Sequence, residues 1–131
     1  MKKIKNELCY LIPMLLMWLS TACLEKQAIR TEDFDQPAWK EDDQGCLAKR
    51  KHVVGQIIAI KHKFIGYNEL EIRNLLGKPN QIELAERNKK YYYYYVEPGK
   101  QCQDTIAFFG KRLQVRFNAL NQVDEIIMLE K

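Results

Sequence analysis

The sequence predicts an α+β domain in which two helices pack on one face of a four-stranded antiparallel meander sheet. The main observation is a change of pattern along the chain. Ile72, Leu75 and Leu76 recur at helical spacing, whereas the residues after Asn80 alternate as strands do. Between them, Gly77 suits a left-handed helix end and Pro79 prevents the helix from continuing. A short helix therefore leads directly into a sheet, and its apolar side is expected to face that sheet.

The sequence also indicates where this short helix begins. Asn68 is suited to accept a hydrogen bond from a free backbone N–H of the first turn, and Glu71 follows three residues later as in a capping box. A longer helix is predicted over residues 46–65, ended by Gly66. Its apolar stripe consists of Leu47, Val54, Ile57, Ile58 and Ile65. Its basic residues are Lys49, Arg50, Lys51, Lys61 and Lys63. They lie mostly off that stripe, and a solvated helix face explains them more simply than attraction to anionic lipid.

Four strands are predicted, over residues 81–86, 90–97, 113–118 and 123–129. Alternation assigns one face to the helices: Ile82, Leu84, Tyr92, Tyr94, Val96, Leu113, Val115 and Phe117. The opposite face collects Glu83, Tyr91, Tyr93, Tyr95, Gln114 and Arg116. Residues 105–109 are apolar and suit either a strand extension or a packed loop.

These residues carry a family resemblance. Gly66-Tyr67-Asn68, then Ile72, then residues 75–79 (Leu-Leu-Gly-Lys-Pro) resemble the core signature of the SmpA/OmlA (BamE-like) outer-membrane lipoproteins. The likeness covers residues 46–131, predicted to be the folded domain. It implies a helix–sheet unit and a role as an accessory subunit of the machinery that assembles β-barrel proteins in the outer membrane. The tyrosine run and the cysteine pair are not part of that family's general signature.

Residues 1–22 are predicted to be a lipoprotein signal peptide. Lys2, Lys3 and Lys5 precede an apolar run, residues 8–19, that is shorter than the roughly 20 residues of a membrane span. Ser20-Thr21-Ala22-Cys23 then resembles a lipobox, although Ser20 stands where leucine is usual. On this interpretation Cys23 carries acyl chains that anchor the protein to the periplasmic face of the outer membrane. The alternative is an ordinary cleaved secretory signal.

Residues 23–45 are predicted to be an acidic flexible tether. Carboxylates outnumber basic residues there and apolar residues are sparse, a composition that buries too little surface to order itself. Trp39 is the exception and is expected to dock on the edge of the domain.

Two further cysteines, Cys46 and Cys102, are predicted to form a disulfide, because an even pair in an oxidising compartment favours bonding. Free buried thiols and a metal site are the alternatives. The metal site is disfavoured because His52 and His62 have no ligand-like spacing to either cysteine.

Composition excludes several function classes. Half of the formal net charge of +4 belongs to the predicted signal peptide, so nothing indicates nucleic-acid binding. The chain shows no phosphate-binding glycine loop, and its carboxylates cluster in the tether, so no enzyme, cofactor, metal or small-molecule substrate is predicted.

The predicted partner-binding residues are Tyr91, Tyr93, Tyr95 and Arg116, because tyrosine is enriched at interface hot spots. The competing interpretation is that these rings only cover a small sheet. The expected function is a membrane-anchored, protein-binding subunit of barrel assembly. An envelope lipoprotein of β-lactamase-inhibitor-like fold that inhibits an enzyme, and a purely structural envelope lipoprotein, are the alternatives.

Overall fold

The computed structural model describes residues 26–103 and 110–130, which form three helices and a four-stranded antiparallel sheet. The helices are α1 (Gln36–Glu41), α2 (Lys49–Ala59) and α3 (Glu69–Leu76). The strands are β1 (Gln81–Ala85), β2 (Lys89–Tyr95), β3 (Arg112–Phe117) and β4 (Val123–Leu129). They pair in the order β1-β2-β3-β4. The predicted α+β meander is confirmed, with three helices in place of two.

The junction between α3 and the sheet is confirmed in detail. The Asn68 side chain accepts from the Glu71 backbone N–H at 3.0 Å, and the Glu71 carboxylate accepts from the Asn68 N–H at 2.8 Å. Gly77 ends the helix with φ of 79°. Ile72 and Leu76 are fully buried, so the helix presses its apolar side on the core as the spacing predicted.

The predicted flexible tether is wrong for the part of it that the structure describes. Asp35 caps α1 by accepting from the backbone N–H of Ala38 at 3.1 Å, and Pro37 occupies the first turn, where its missing N–H costs nothing. Trp39 is fully buried, and its indole N–H donates to the backbone oxygen of Leu76 at 3.0 Å. Phe34, 2% exposed, also lies in the core, so two buried rings order a segment whose average composition is polar.

The longer predicted helix is shorter than expected. It begins at Lys49, after a left-handed Ala48, and ends at Ala59, where a 3₁₀ turn (Lys61–Phe64) continues the chain. Val54 and Ile57 are buried as predicted, together with Val53, which the predicted stripe omitted. The two outer members of that stripe, Leu47 and Ile65, fall outside the helix and are 60% and 46% exposed.

The solvent-facing prediction for Arg50 is wrong. Its side chain is 1% exposed and lies over the ring of Trp39, 4.7 Å from its centroid. Its guanidinium donates to the backbone oxygens of Trp39 and Tyr95 and to the side-chain oxygen of Asn80. Asp42, 1% exposed, accepts from the backbone N–H of Arg50 at 3.1 Å. This arginine joins α1, α2 and β2.

The predicted facing of the central strands is confirmed. Six inward side chains are fully buried: Tyr92, Tyr94, Val96, Leu113, Val115 and Phe117. The expectation fails for β1, where Ile82 and Leu84 share the inward parity but are 47% and 75% exposed. As an edge strand, β1 extends past the helices that cover β2 and β3.

The two ends of the sheet differ. The hairpin turns, residues 86–88 and 118–122, both lie beside Lys90, which pairs with Leu84 on one side and Phe117 on the other. We call this the turn end. At the opposite end, Cys46 and Cys102 form the predicted disulfide, with Cα atoms 5.8 Å apart. The predicted signal peptide, Cys23 and residues 105–109 lie outside the described residues.

Candidate protein-binding face

Strand pairing brings the predicted partner-binding residues together on the sheet surface opposite the helices. Tyr91 pairs with Arg116 and Glu83, Tyr93 with Gln114, and Tyr95 with Arg112. None of these side chains belongs to the buried hydrophobic cluster that the helices share with the inward face. We call this surface the outer face. It consists of Glu83, Tyr91, Tyr93, Tyr95, Arg112, Gln114, Arg116 and Glu125.

Two stacked tyrosines occupy its centre. The rings of Tyr91 and Tyr93 are 6.5 Å apart between centroids, with 18° between their planes. The guanidinium of Arg112 lies over the Tyr93 ring at 5.0 Å. Two residues apart on one strand, the side chains point the same way and their rings can stack, which makes a rigid aromatic surface at little cost in rotamer entropy.

Tyr93 is more enclosed than the sequence suggested. It is 8% exposed, and its hydroxyl donates to the carboxylate of Glu83 at 2.9 Å. Burial raises the pKa of Tyr93, and the hydrogen bond to the Glu83 carboxylate raises it further. The hydroxyl therefore stays protonated at neutral pH and holds Glu83 in place. Tyr91 and Tyr95 are half-buried and offer the more accessible ring surface.

Arg116 is already paired within the sheet. Its guanidinium lies 2.7 Å from Asp124 and 2.9 Å from Glu125, both on β4. The hydrogen bond to Asp124 raises the pKa of Arg116. Arg116, predicted to bind a partner, thus lies in an ion-pair cluster with two carboxylates, and the outer face presents neutral rings beside paired charges rather than a basic patch.

Two residues of the outer face, Arg112 and Glu125, were not predicted from the sequence, and neither was Asp124, which pairs with Arg116 from β4. Alternation along β3 could have placed Arg112 on the outer face, because it has the same strand parity as Gln114 and Arg116. The two β4 carboxylates were harder to place. The β3–β4 register shifts between Arg116 and Phe117, and such an irregularity re-aims side chains in a way that alternation alone does not predict.

The predicted alternative of a metal site was compared with the part of the chain that the structure describes. Within it, no three His, Cys, Asp or Glu residues are grouped so as to hold a metal ion. His52 and His62 are both exposed. Across residues 26–103 and 110–130, no helix has the length and apolar character needed to span a bilayer.

Comparisons with known proteins found no relatives. No family model matches the chain, and neither curated proteins nor solved structures match it.

Proposed function

We propose that this chain is an outer-membrane-anchored periplasmic lipoprotein whose outer face binds a protein, as an accessory subunit of β-barrel assembly. The observation that carries the binding proposal is the Tyr91–Tyr93 stack, which lies on the sheet surface opposite the helices. Rigid aromatic rings next to paired charges have the composition of a protein interface, where aromatic residues are enriched and unpaired charge is depleted at the core.

Three features support the assignment to barrel assembly and the envelope. The capped helix, Gly77, Pro79 and the meander form the unit that the resemblance to BamE-like lipoproteins implies. The disulfide between Cys46 and Cys102 suits an oxidising compartment. Cys23 follows an apolar run and small residues, as lipid-modified cysteines do.

The test is capture of the full-length lipoprotein, crosslinked in intact cells and purified from detergent-solubilised membranes. We expect barrel-assembly subunits to co-purify with the wild type. Tyr91→Ala should weaken their capture by about 2 kcal/mol, roughly 30-fold in Kd, as truncation of an interface hot spot does. Tyr91 is preferred to Tyr93, because its half-buried ring can be removed with less harm to the fold.

Lys51→Ala is the matched control, since Lys51 is exposed on α2, away from the outer face. Capture of a soluble hydrolase instead would favour the inhibitor alternative. Equal capture by wild type and Tyr91→Ala would mean that the tyrosines only cover the sheet.

A further inference from the structure

The described chain begins firmly attached to the turn end of the sheet. The Tyr67 hydroxyl donates to the backbone oxygen of Gln27 at 2.9 Å and accepts from the backbone N–H of Ile29 at 3.1 Å. Lys26 pairs with Glu71, and its ammonium lies 4.0 Å from the centroid of the Tyr67 ring. Tyr67 itself is joined to the start of β4, because its backbone oxygen accepts from the N–H of Val123 at 2.8 Å.

This attachment limits how far the domain can stand from the proposed anchor. Cys23 is three residues before Lys26, and three residues span at most roughly 10 Å. The acyl chains on Cys23 must lie in the bilayer, so Lys26 is held within that distance of the membrane surface. A flexible tether of residues 23–45 would have allowed a far greater separation.

The turn end also has an unusual surface. Of the six large apolar side chains exposed among the described residues, four lie there: Ile65, Leu70, Leu84 and Leu120. Leu84 and Leu120 are 75% and 77% exposed, each within or beside a hairpin turn. Leu70 lies in the first turn of α3, whose cap, Asn68, pairs with Gln122.

Exposed cations lie close in the chain to two of these apolar side chains: Arg87 and Lys89 follow Leu84, and Lys61 precedes Ile65. Lys61, Arg87 and Lys89 are exposed, and none of them has a carboxylate partner within residues 26–103 and 110–130. Glu86 is the exposed carboxylate of the β1–β2 hairpin turn. Apolar side chains bordered by basic residues are the composition of surfaces that settle into the interface of a lipid bilayer, where lysine and arginine meet phosphate groups.

We propose that the turn end is a membrane-docking surface: the domain rests on the bilayer with Leu84 and Leu120 at the lipid interface. The disulfide end then points into the periplasm. The inference rests on the proposed anchor at Cys23, whose acyl chains keep the turn end beside lipid. The four exposed apolar side chains can then insert at the lipid interface, and the three cations that have no carboxylate partner among the described residues can bind lipid phosphates.

The test places one fluorescent label on the full-length lipidated protein in vesicles rich in phosphatidylethanolamine, with some phosphatidylglycerol and nitroxide-labelled acyl chains. Leu120→Cys and Leu84→Cys supply the labelling sites, and Leu47→Cys is the control, 60% exposed beside the disulfide. We expect lipid nitroxides to quench labels at 120 and 84 several-fold more strongly than the label at 47.

Flotation of the vesicles separates the two proposals. Protein that floats while labels at 120 and 47 are quenched equally would overturn the docking surface and leave the anchor intact. Protein that does not float at all would overturn the anchor, and the docking surface with it. Each labelling site is well exposed in the fold, so none of the three substitutions should prevent folding.

Discussion

A terminal nitrogen of the Arg50 guanidinium donates to the backbone oxygen of Tyr95 at 3.1 Å, which fastens a buried helical arginine to the end of β2. The same nitrogen donates to the side-chain oxygen of Asn80, which also accepts from the Tyr95 backbone N–H at 2.8 Å. The residue that follows the helix–Gly-x-Pro junction is thus held by a helix and a strand together.

Arg50→Met should destabilise the domain by about 3 kcal/mol or more, because it leaves the buried backbone oxygen of Trp39 and the half-buried oxygens of Asn80 and Tyr95 without their shared donor. Lys51→Met is the control, since Lys51 is exposed and should change stability by about 0.5 kcal/mol at most. Urea unfolding of both variants measures the difference. Similar values for the two would show that the buried network contributes little.

Reduction should lower the melting temperature substantially. Cys46 and Cys102 are 56 residues apart, and closing a loop of that length is worth about 4 kcal/mol in the chain-entropy model. For a domain of this size, that free energy corresponds to a fall of about 15–30 °C. Calorimetry with and without reductant checks this. The Cys46→Ala/Cys102→Ala variant should have the melting temperature of the reduced protein, and reductant should not change it.

Tyr94→Ala should cost about 3–5 kcal/mol, because it empties a fully buried site beside Trp39 and removes the donor to the Gly77 oxygen. Tyr91→Ala, three positions earlier on the opposite face, should cost about 1 kcal/mol, the size of a cross-strand contact. Equal losses in urea unfolding would contradict the assignment of inward and outward faces.

Acid should weaken the contact between α3 and β2. Burial raises the pKa of Glu69, but the hydrogen bonds from Lys90, Tyr92 and Asn121 outweigh it and hold the pKa below its usual 4.5. A carboxyl with a lowered folded-state pKa stabilises the fold above its unfolded pKa, and that stabilisation is lost as pH falls through the folded value.

Glu69→Gln should therefore lose less stability than the wild type when urea unfolding is repeated from pH 7 down to pH about 3, below the unperturbed pKa of a glutamate. Glu86→Gln, in the exposed β1–β2 turn, should follow the wild-type curve. A Glu69→Gln curve parallel to that of the wild type would show that this carboxylate does not govern acid sensitivity.

Two glycines should respond oppositely to alanine. Gly45 has φ of +70°, and a Cβ there would lie 2.7 Å from the backbone oxygen of Tyr95, so Gly45→Ala should destabilise the fold. Gly55 lies within α2 with no atom within 4 Å of its Cβ position, and Gly55→Ala should stabilise by about 0.5–1 kcal/mol. Thermal unfolding of the two variants should show melting temperatures on either side of the wild type.

Local signals predicted most of the fold. The sequence correctly predicted the helix cap at Asn68, the helix end at Gly77 and the alternation in β2 and β3. Each of these features depends on a few neighbouring residues. β4 was placed with the same bounds that the structure has, since a turn precedes it and its apolar residues are concentrated.

The predictions that failed concern features that depend on residues far apart in the sequence. Arg50 is charged, and its burial is made favourable by carbonyl groups of α1 and β2, the side-chain oxygen of Asn80 and the ring of Trp39. The order of residues 26–45 likewise depends on where Phe34 and Trp39 pack and on the Tyr67 hydroxyl, and the polar average of that segment reveals none of these contacts. The outer face was predicted from parity, but Tyr93 is enclosed by Arg112, whose guanidinium lies over its ring from a diagonal position on β3, and by Glu83, which accepts from its hydroxyl.

The attachment of Gln27 and Ile29 to Tyr67 also has a mechanical meaning. Tension along the chain from its N-terminal side reaches the Lys26–Glu71 ion pair and the two hydrogen bonds on the Tyr67 hydroxyl before it reaches any strand. Phe34 and Trp39 are both buried in the core, so loss of these contacts would release residues 26–29 and leave the next segment in place. Under such tension, residues 26–29 are therefore expected to detach from the domain before force reaches the sheet.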